Sequence, residues 1–546
     1  MPTATFNRGY FDRLMGFKLT DKKLEEQCGK MGMSVESLSA KEITVEASPN
    51  RPDLLDCVGF ARALKNYMHR SKRLSYQLKD AKPYLEIEVE KEVKRVRPFI
   101  SAFVALDVKL DDESLANLIN FSEKFCEGYG RKRRKIAMGM HDLDRVKGKV
   151  RYNAYPDEAL APLNEKRERR FSEILLNHSK GREYGYTIRN GEDGYPALKD
   201  DEGVLSLIPI INSERTRVTT STRNLLIDIT GTSQYLVNKC ADMFAATFMD
   251  IGADVRPVML KQMGKRYTQP EMKERYIEMQ LSKAEQEIGV RIGFSNVISL
   301  ANKVGYEAAL VGKSIRFKVP AYRLDVIDEQ DIVEDLAIAY GYDYIPAIAL
   351  GATQQGELNA ATELCEMLSE LMLGLGFDEM VNSYLTNDDT NFARMRLEKD
   401  ANYCVRLKNP RSESVTIMRT WLLPGLLKNL GLSQHDSMPH NVFENDLAFT
   451  VKAESVFERL HLAAVSSHSK ANFNDAKATV QAISDSMGLE IKISKHEHRS
   501  FIDGRCAKIT IAGKDVGFFG ELHPEVLYNF GIEEPAIAFE MELPSL

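Results

Sequence analysis

Six acids fall within the eleven residues from Asp325 to Asp335. Asp331, Glu334 and Asp335 stand at i, i+3 and i+4, so a helix sets them within about 100° of arc on one face. Ile332, Val333, Leu336, Ala337 and Tyr340 take the opposite, core-facing stripe. Asp325 precedes the helix and can close over its first turn. Magnesium takes hard oxygen ligands in an octahedral array and keeps several waters. Asp325, Asp331, Glu334 and Asp335 therefore form a candidate Mg2+ site. A plainer reading uses the same residues. Acids in a first turn offset the helix macrodipole, Asp328 with Asp331 resembles a capping pair, and acidic helix faces are commonly solvated. Spacing alone leaves both readings open.

The elements that carry this turn occur twice. Arg323-Leu-Asp-Val-Ile-Asp328 is echoed by Arg51-Pro-Asp-Leu-Leu-Asp56. A helix-like stretch ending in Lys-x-Gly lies upstream of each, at Lys30 to Gly32 and at Lys303 to Gly305. An apolar strand follows in each, Ile43 to Val45 and Ile315 to Phe317, and Phe60, Ala61 and Leu64 match Ile332, Val333 and Leu336. The pattern predicts a duplicated helix–strand–loop–helix unit. In the first copy the places of Asp331, Glu334 and Asp335 hold Gly59, Arg62 and Ala63. The scaffold works without those three acids, which favours a specific purpose for them in the second copy.

At 546 residues the chain predicts three or four domains. Its 43% hydrophobic and 28% charged residues are those of a soluble globular protein. No apolar run is long enough to cross a bilayer, and the N-terminus does not read as a signal peptide. Seven scattered cysteines without a C-x-x-C pair point to a reducing cytoplasm, with neither a disulfide framework nor a zinc site. The net charge of −6 excludes a polycation, so any nucleic-acid contact must come from local basic patches. Three lie in the first third: Arg131 to Lys135, including Arg133 and Arg134; Lys166, Arg167, Arg169 and Arg170; and Lys91, Lys94, Arg95 and Arg97. Each is a solvated surface or a phosphate track.

Patterning predicts a multidomain α/β (α+β) chain divided at 1–92, 93–268, 269–350 and 351–546. The first and third parts hold the two copies of the repeat. In the second, strands are expected at Ser101 to Val108, Val204 to Ile211 and Leu225 to Ile229, with helices at Glu113 to Tyr129 and Gln234 to Met249. Gly351 to Gly356 reads as a linker. The last part opens with a helix from Ala360 to Leu375 and closes with strands Ala507 to Ala512, Val516 to Phe519 and Ala536 to Glu542.

Five runs, in order along nearly the whole length, carry a family resemblance. They are Ser48-Pro-Asn-Arg-Pro-Asp-Leu-Leu55; Gly139-Met-His-Asp-Leu143; Pro209 to Ser213 with Thr222 to Thr232; Val319 to Asp325 with Glu334 to Tyr342; and Met418 to Leu427 with Gly520 to Val526. Together they resemble the phenylalanyl-tRNA synthetase beta subunits of the archaeal and eukaryotic form. The resemblance implies duplicated helix–strand–helix units, a mixed α/β editing domain, a metal-binding domain and a C-terminal class II synthetase-like antiparallel sheet domain. It implies a cytoplasmic α2β2 ligase, with ATP and Mg2+ as cofactors, and partners in an alpha subunit holding the activation site and in tRNA(Phe). It places metal ligands on Asp325, Asp331, Glu334 and Asp335, the four that spacing selects. No Gly-x-Gly-x-Gly-x-Glu-Arg run occurs, and Arg419 reads as structural, so the last domain is expected to lack aminoacylation catalysis.

The same resemblance implies an editing site. Phenylalanine and tyrosine differ by one hydroxyl, and an apolar pocket rejects such an addition only by roughly 100-fold. A second site whose polar groups pair with that hydroxyl discriminates more strongly, because phenylalanine would leave them unpaired. The candidates are His141, Asp142, Ser206, Asn212, Glu214, Arg217, Asp228 and Thr230; Asp228 and Thr230 share one strand face. Arg131, Arg133 and Arg134 are candidates for the RNA backbone. No Ser-His-Asp or Cys-His arrangement is legible, so a positioned water is expected, with Glu214 or His141 as its base. Ser122 stands where the family often has a pocket-lining glutamine. A free-standing hydrolase and a non-enzymatic RNA-binding scaffold are the rival readings. The synthetase-like last domain speaks against the first.

Overall fold

The computed structural model describes residues 3–70, 76–78, 80, 82–262, 264–349, 351, 355–399, 403–433 and 435–543. Most of the expected linker at 351–356 lies outside them. The chain forms two compact units, Met1–Ala349 and Leu350–Leu546.

In the first unit the duplication is longer than the sequence suggests. Each copy begins with a strand and a short helix, Thr3–Asn7 with Arg8–Met15 and Arg275–Gln280 with Leu281–Ile288. A second helix follows in each, Asp21–Lys30 and Phe294–Lys303. Each copy then makes a hairpin, Ser34–Leu38 with Glu42–Glu46 and Glu307–Val311 with Ser314–Val319. The closing helices are Cys57–Tyr67 and Glu329–Tyr340. In both sheets the last strand lies in the middle. The first hairpin strand escapes sequence reading because it is an edge strand with little buried surface, so it lacks apolar alternation.

Between the copies lies a ten-stranded mixed sheet. Its order is Ile211–Asn212, Val204–Leu207, Tyr195–Lys199, Val150–Tyr155, Leu85–Val89, Asp254–Gln262, Phe99–Leu106, Leu225–Gly231 and Ile136–Asp142, with Lys265–Gln269 on Asp254–Gln262. Leu85–Val89 is thus an interior strand of this sheet and not the tail of the first repeat. Pro209, which has no N–H to donate, interrupts the single strand expected over 204–211. The helices Asp112–Glu127 and Gln234–Asp250 cover one face. Phe103, Phe121, Phe125, Phe244 and Phe248 join Phe6, Phe11 and Phe60 of the first repeat in one hydrophobic core. That shared core explains why no boundary separates the two. The other face buries Ile100, Val104, Leu198, Leu205 and Leu226.

The second unit has a seven-stranded sheet, antiparallel except where Asp378–Glu379 joins His440–Lys452. Helices Ala360–Gly374 and Phe473–Ser486 pack on one face, and Leu423–Leu432 with Pro524–Phe530 on the other. Glu540, 3% exposed, accepts the backbone N–H of Leu422 and Leu423 and so caps the helix that starts there. Arg419 donates to Leu447 O at 2.8 Å and to Glu444 at 2.5 Å inside this unit, as a structural arginine does.

Candidate functional site

The sheet of the first unit curls until its two end strands meet. Asn212 on one end donates through Nδ2 to Met140 O on the other at 3.1 Å. His141, beside that junction, is fully buried. Its Nδ1 lies 2.9 Å from Thr216 Oγ1 and its Nε2 3.1 Å from Asp228 Oδ1. Asp228 sits on the neighbouring strand directly opposite Gly139. A Cβ at Gly139 would lie 2.4 Å from Asp228 Oδ1, so the glycine leaves the room through which the carboxylate reaches His141. This is the physical content of the Gly-x-His spacing: glycine and histidine share a strand face, and the acid crosses diagonally between them.

The structure does not gather the eight predicted residues equally. His141, Asp228 and Asn212 converge on the seam, and Ser206 lies opposite Asn212 with a buried hydroxyl that has no partner among the described residues. Thr230, one step beyond Asp228 on the same face, takes a hydrogen bond from Arg97 at 2.9 Å. Glu214 and Arg217 pair with each other at 3.3 Å on the adjoining turn, and Glu214 also accepts Asn164 N at 2.7 Å. Asp142 is turned away from His141, onto Thr222 Oγ1 at 3.1 Å and its own following turn. Both nitrogens of His141 are engaged, so it serves as an oriented polar group. Glu214 keeps a third of its side chain exposed. Thr216 was not foreseen; only its place two residues after the Glu214 candidate pointed to it.

The basic run also divides. Arg131 and Arg134 are exposed and form no ion pair among the described residues. Arg133 is turned inward, donating to Pro209 O and Ile210 O at 3.0 Å each and lying 4.2 Å over the Tyr184 ring.

The acidic turn differs most from its expected form. The helix Glu329–Tyr340 does present Asp331, Glu334 and Asp335 on one side, and Ile332, Val333, Leu336 and Ala337 pack into the core. Arg323, 2% exposed, takes two of the four carboxylates: Nε and Nη2 to Asp325 at 2.9 and 2.6 Å, and Nη2 to Asp335 at 2.6 Å. The Tyr306 hydroxyl also donates to Asp335. Burial opposes the Arg323 charge, but Tyr306, Asp335 and Asp325 outweigh it and hold its pKa well above the ordinary range. Asp331 accepts Ile327 N and Asp328 N and completes a reciprocal capping box with Asp328. Among the described residues no three His, Cys, Asp or Glu side chains are grouped as a metal ion would need. As they stand, the four acids do not fit a magnesium ion.

The first copy explains part of this. Arg51 grips Asp53 through Nε and Nη2 at 2.9 Å each, the arrangement Arg323 makes with Asp325. Asp325 therefore repeats a scaffold contact found where no metal is expected. Burial works against the Asp53 charge, but Arg51, Arg62 and Arg323 prevail and hold its pKa at about 2. Arg51, Arg62, Arg323, Asp331 and Glu334 line a cavity of about 200 Å³ between the two copies.

Comparison with known proteins accounts for this organisation. Residues 89–246 match the B3/4 domain, 277–342 the tRNA synthetase B5 domain, and 345–543 the phenylalanyl tRNA synthetase beta chain CLM domain. The chain is 35% identical over 557 residues to the phenylalanine–tRNA ligase beta subunit of Methanocaldococcus jannaschii, covering 100% of both chains. The chain belongs to the archaeal-type phenylalanine–tRNA ligase beta subunits. The corresponding subunit of Archaeoglobus fulgidus is 34% identical, over 100% of this chain and 98% of that one. The crystal structure of an N-terminal fragment of the phenylalanyl-tRNA synthetase beta subunit from Pyrococcus horikoshii superposes with a TM-score of 0.60 at 31% identity. It covers 62% of this chain and 100% of the fragment. The seam with His141 and Asp228 lies in the B3/4 match, and the acidic turn in the B5 match. No helix among the described residues is long and apolar enough to cross a membrane.

Proposed function

We propose that this beta subunit acts in the cytoplasm with an alpha subunit, as an α2β2 assembly that joins phenylalanine to tRNA(Phe) with ATP and Mg2+. Its own chemistry in that assembly is the hydrolysis of tyrosyl-tRNA(Phe). The observation that carries the reading is the buried His141–Asp228–Thr216 set at the seam of the sheet, with the Ser206 hydroxyl, unpaired among the described residues, opposite the seam residue Asn212. The Ser206 hydroxyl, buried and without a partner among the described residues, favours a ligand that brings a hydroxyl and disfavours one that does not. His141 and Asp228 orient the amino-acid end. Glu214 takes the proton from the attacking water, whose oxygen bonds to the ester carbonyl as the ribose oxygen leaves with a proton. Arg131 and Arg134 hold the RNA backbone. Asn212 fixes the seam, and Asp142, Arg217 and Arg133 support the turns around it.

Deacylation of tyrosyl-tRNA(Phe) by the assembled enzyme tests the reading. Asp228→Asn should lower the rate by at least about tenfold, the loss of one charge-assisted bond, while charging with phenylalanine persists. No deacylation by either the chain or the assembly refutes it. For the acidic turn, ion binding by Asp325, Asp331, Glu334 and Asp335 is proposed only with Arg323 displaced from two of them. An Asp331→Ala protein that retains the wild-type magnesium content refutes that site.

A further inference from the structure

Arg97 belongs by sequence to a basic cluster, but Lys91, Lys94 and Arg95 are exposed and Arg97 is only 1% exposed. Its guanidinium makes three hydrogen bonds: Nε to Thr230 Oγ1 at 2.9 Å, Nη2 to Thr230 O at 2.8 Å and Nη1 to Arg133 O at 3.0 Å. The Tyr152 hydroxyl holds its own carbonyl at 2.8 Å. No ion pair is made by Arg97 among the described residues, and burying a guanidinium without one is costly. What it gains is a link between two places. One is Thr230, two residues from Asp228 on the same strand face. The other is the turn that carries the exposed arginines.

That turn is strained. Arg131, Lys132 and Arg133 have φ of 50°, 52° and 60°, three successive non-glycine residues in the left-handed region. Such a backbone persists only where its surroundings hold it. Arg97 holds Arg133 O, the Tyr186 hydroxyl holds Lys132 O at 3.2 Å, and the Arg133 side chain is fastened to Pro209 O and Ile210 O. Arg131, Lys132, Arg134 and Lys135 face solvent, and Arg131 and Arg134 are the exposed arginines among them.

We infer that Arg97 is a positioning residue that fixes the register between the phosphate-facing arginines Arg131 and Arg134 and the pair His141 and Asp228 that orients the amino-acid end. Its ligand class is an aminoacylated RNA 3′ end, gripped by its phosphates at the turn and offered by its amino-acid end at the seam. Binding energy at the turn then orients the ester, because both sit on one bolted frame. The inference rests on the hydrolytic reading above.

Two substrates separate the contributions: tyrosyl-tRNA(Phe), and 3′-O-tyrosyladenosine, which carries the ester without the phosphates. In the assembled enzyme, Arg97→Lys keeps the charge but cannot make all three bonds. Its loss of kcat/KM on tyrosyl-tRNA should exceed its loss on tyrosyladenosine by about tenfold. The double variant Arg131→Ala/Arg134→Ala should show the same contrast, and adding Arg97→Lys to it should cost little more. Equal losses on both substrates, additive losses, or no loss would overturn the inference. If the wild type hydrolyses neither substrate, the hydrolytic reading fails and tRNA binding decides on Arg97. Its slope of log Kd against log salt should then fall by about one to two, as in the double variant, and an unchanged slope overturns it. Should Arg97→Lys not fold, Tyr186→Phe removes the exposed second tie on the same turn. A contrast of about threefold between the substrates is expected there, and none overturns the inference.

Discussion

Replacing Arg323 by methionine gives the most searching test of the acidic turn. The side chain is 2% exposed and neutralises Asp325 and Asp335, whose side chains are 6% and 9% exposed. Methionine fills similar volume but strips two buried carboxylates of their shared ion-pair partner. Breaking a buried ion pair from one side costs about 3–5 kcal/mol, and a second stranded acid places this site at the upper end. The deficit should depend on pH. Two buried carboxylates stripped of their ion-pair partner favour their neutral forms, so the variant is least handicapped in acid and its deficit grows as the pH rises toward 7. Hydrogen exchange across Arg275–Tyr340 in mild denaturant reads the loss locally. Trp421, the only tryptophan, lies in the second unit and reports that unit by fluorescence. A deficit below about 1 kcal/mol at pH 7, or one that stays the same at pH 5, would show that Arg323 is not the counter-charge of the acids.

Three other substitutions probe separate parts of the chain. Gly139→Ala forces a Cβ to within 2.4 Å of Asp228 Oδ1, so it should push that carboxylate off His141. The expected results are a stability loss of about 1–3 kcal/mol by denaturant unfolding and about tenfold slower deacylation. Asp242 accepts Met272 N at 3.0 Å, and burial raises its pKa to about 6 against that bond. An acid raised in the fold costs stability above its folded pKa, so the wild type should lose about 3 kcal/mol relative to Asp242→Asn as pH climbs from about 4 to 6. Stability differences measured at pH 4, 5, 6 and 7 check the sign, and a flat difference refutes it. Glu540→Ala strips the cap from Leu422 and Leu423 and the partner of His461 at 2.7 Å. Trp421 fluorescence should record a loss of about 2 kcal/mol in the second unit.

The duplication, the acidic helix face, the Gly-x-His-Asp run and the family itself were legible in the residues. Each is a local pattern: a 3.6-residue period, a two-residue alternation, or a short run of defined types. Asp328 with Asp331 was legible as a cap for the same reason, since capping spans three residues. Partners brought from far along the chain were not legible. Thr230 and Arg97 are 133 residues apart, and nothing near Arg97 distinguishes it from the exposed cations of its cluster. Asp142 and His141 are adjacent, yet the strand pleat sends them to opposite faces, and only the paired strand decides which face meets Asp228. Tertiary structure also decided what the four acids are for as they stand. Their spacing is a property of one helix and its leading loop. The pairing of Asp325 and Asp335 depends on Arg323 being buried between them, and the matching contact of Arg51 with Asp53 in the first copy marks Asp325 as scaffold. Residue types state which charges are available; only packing determines which of them are already paired.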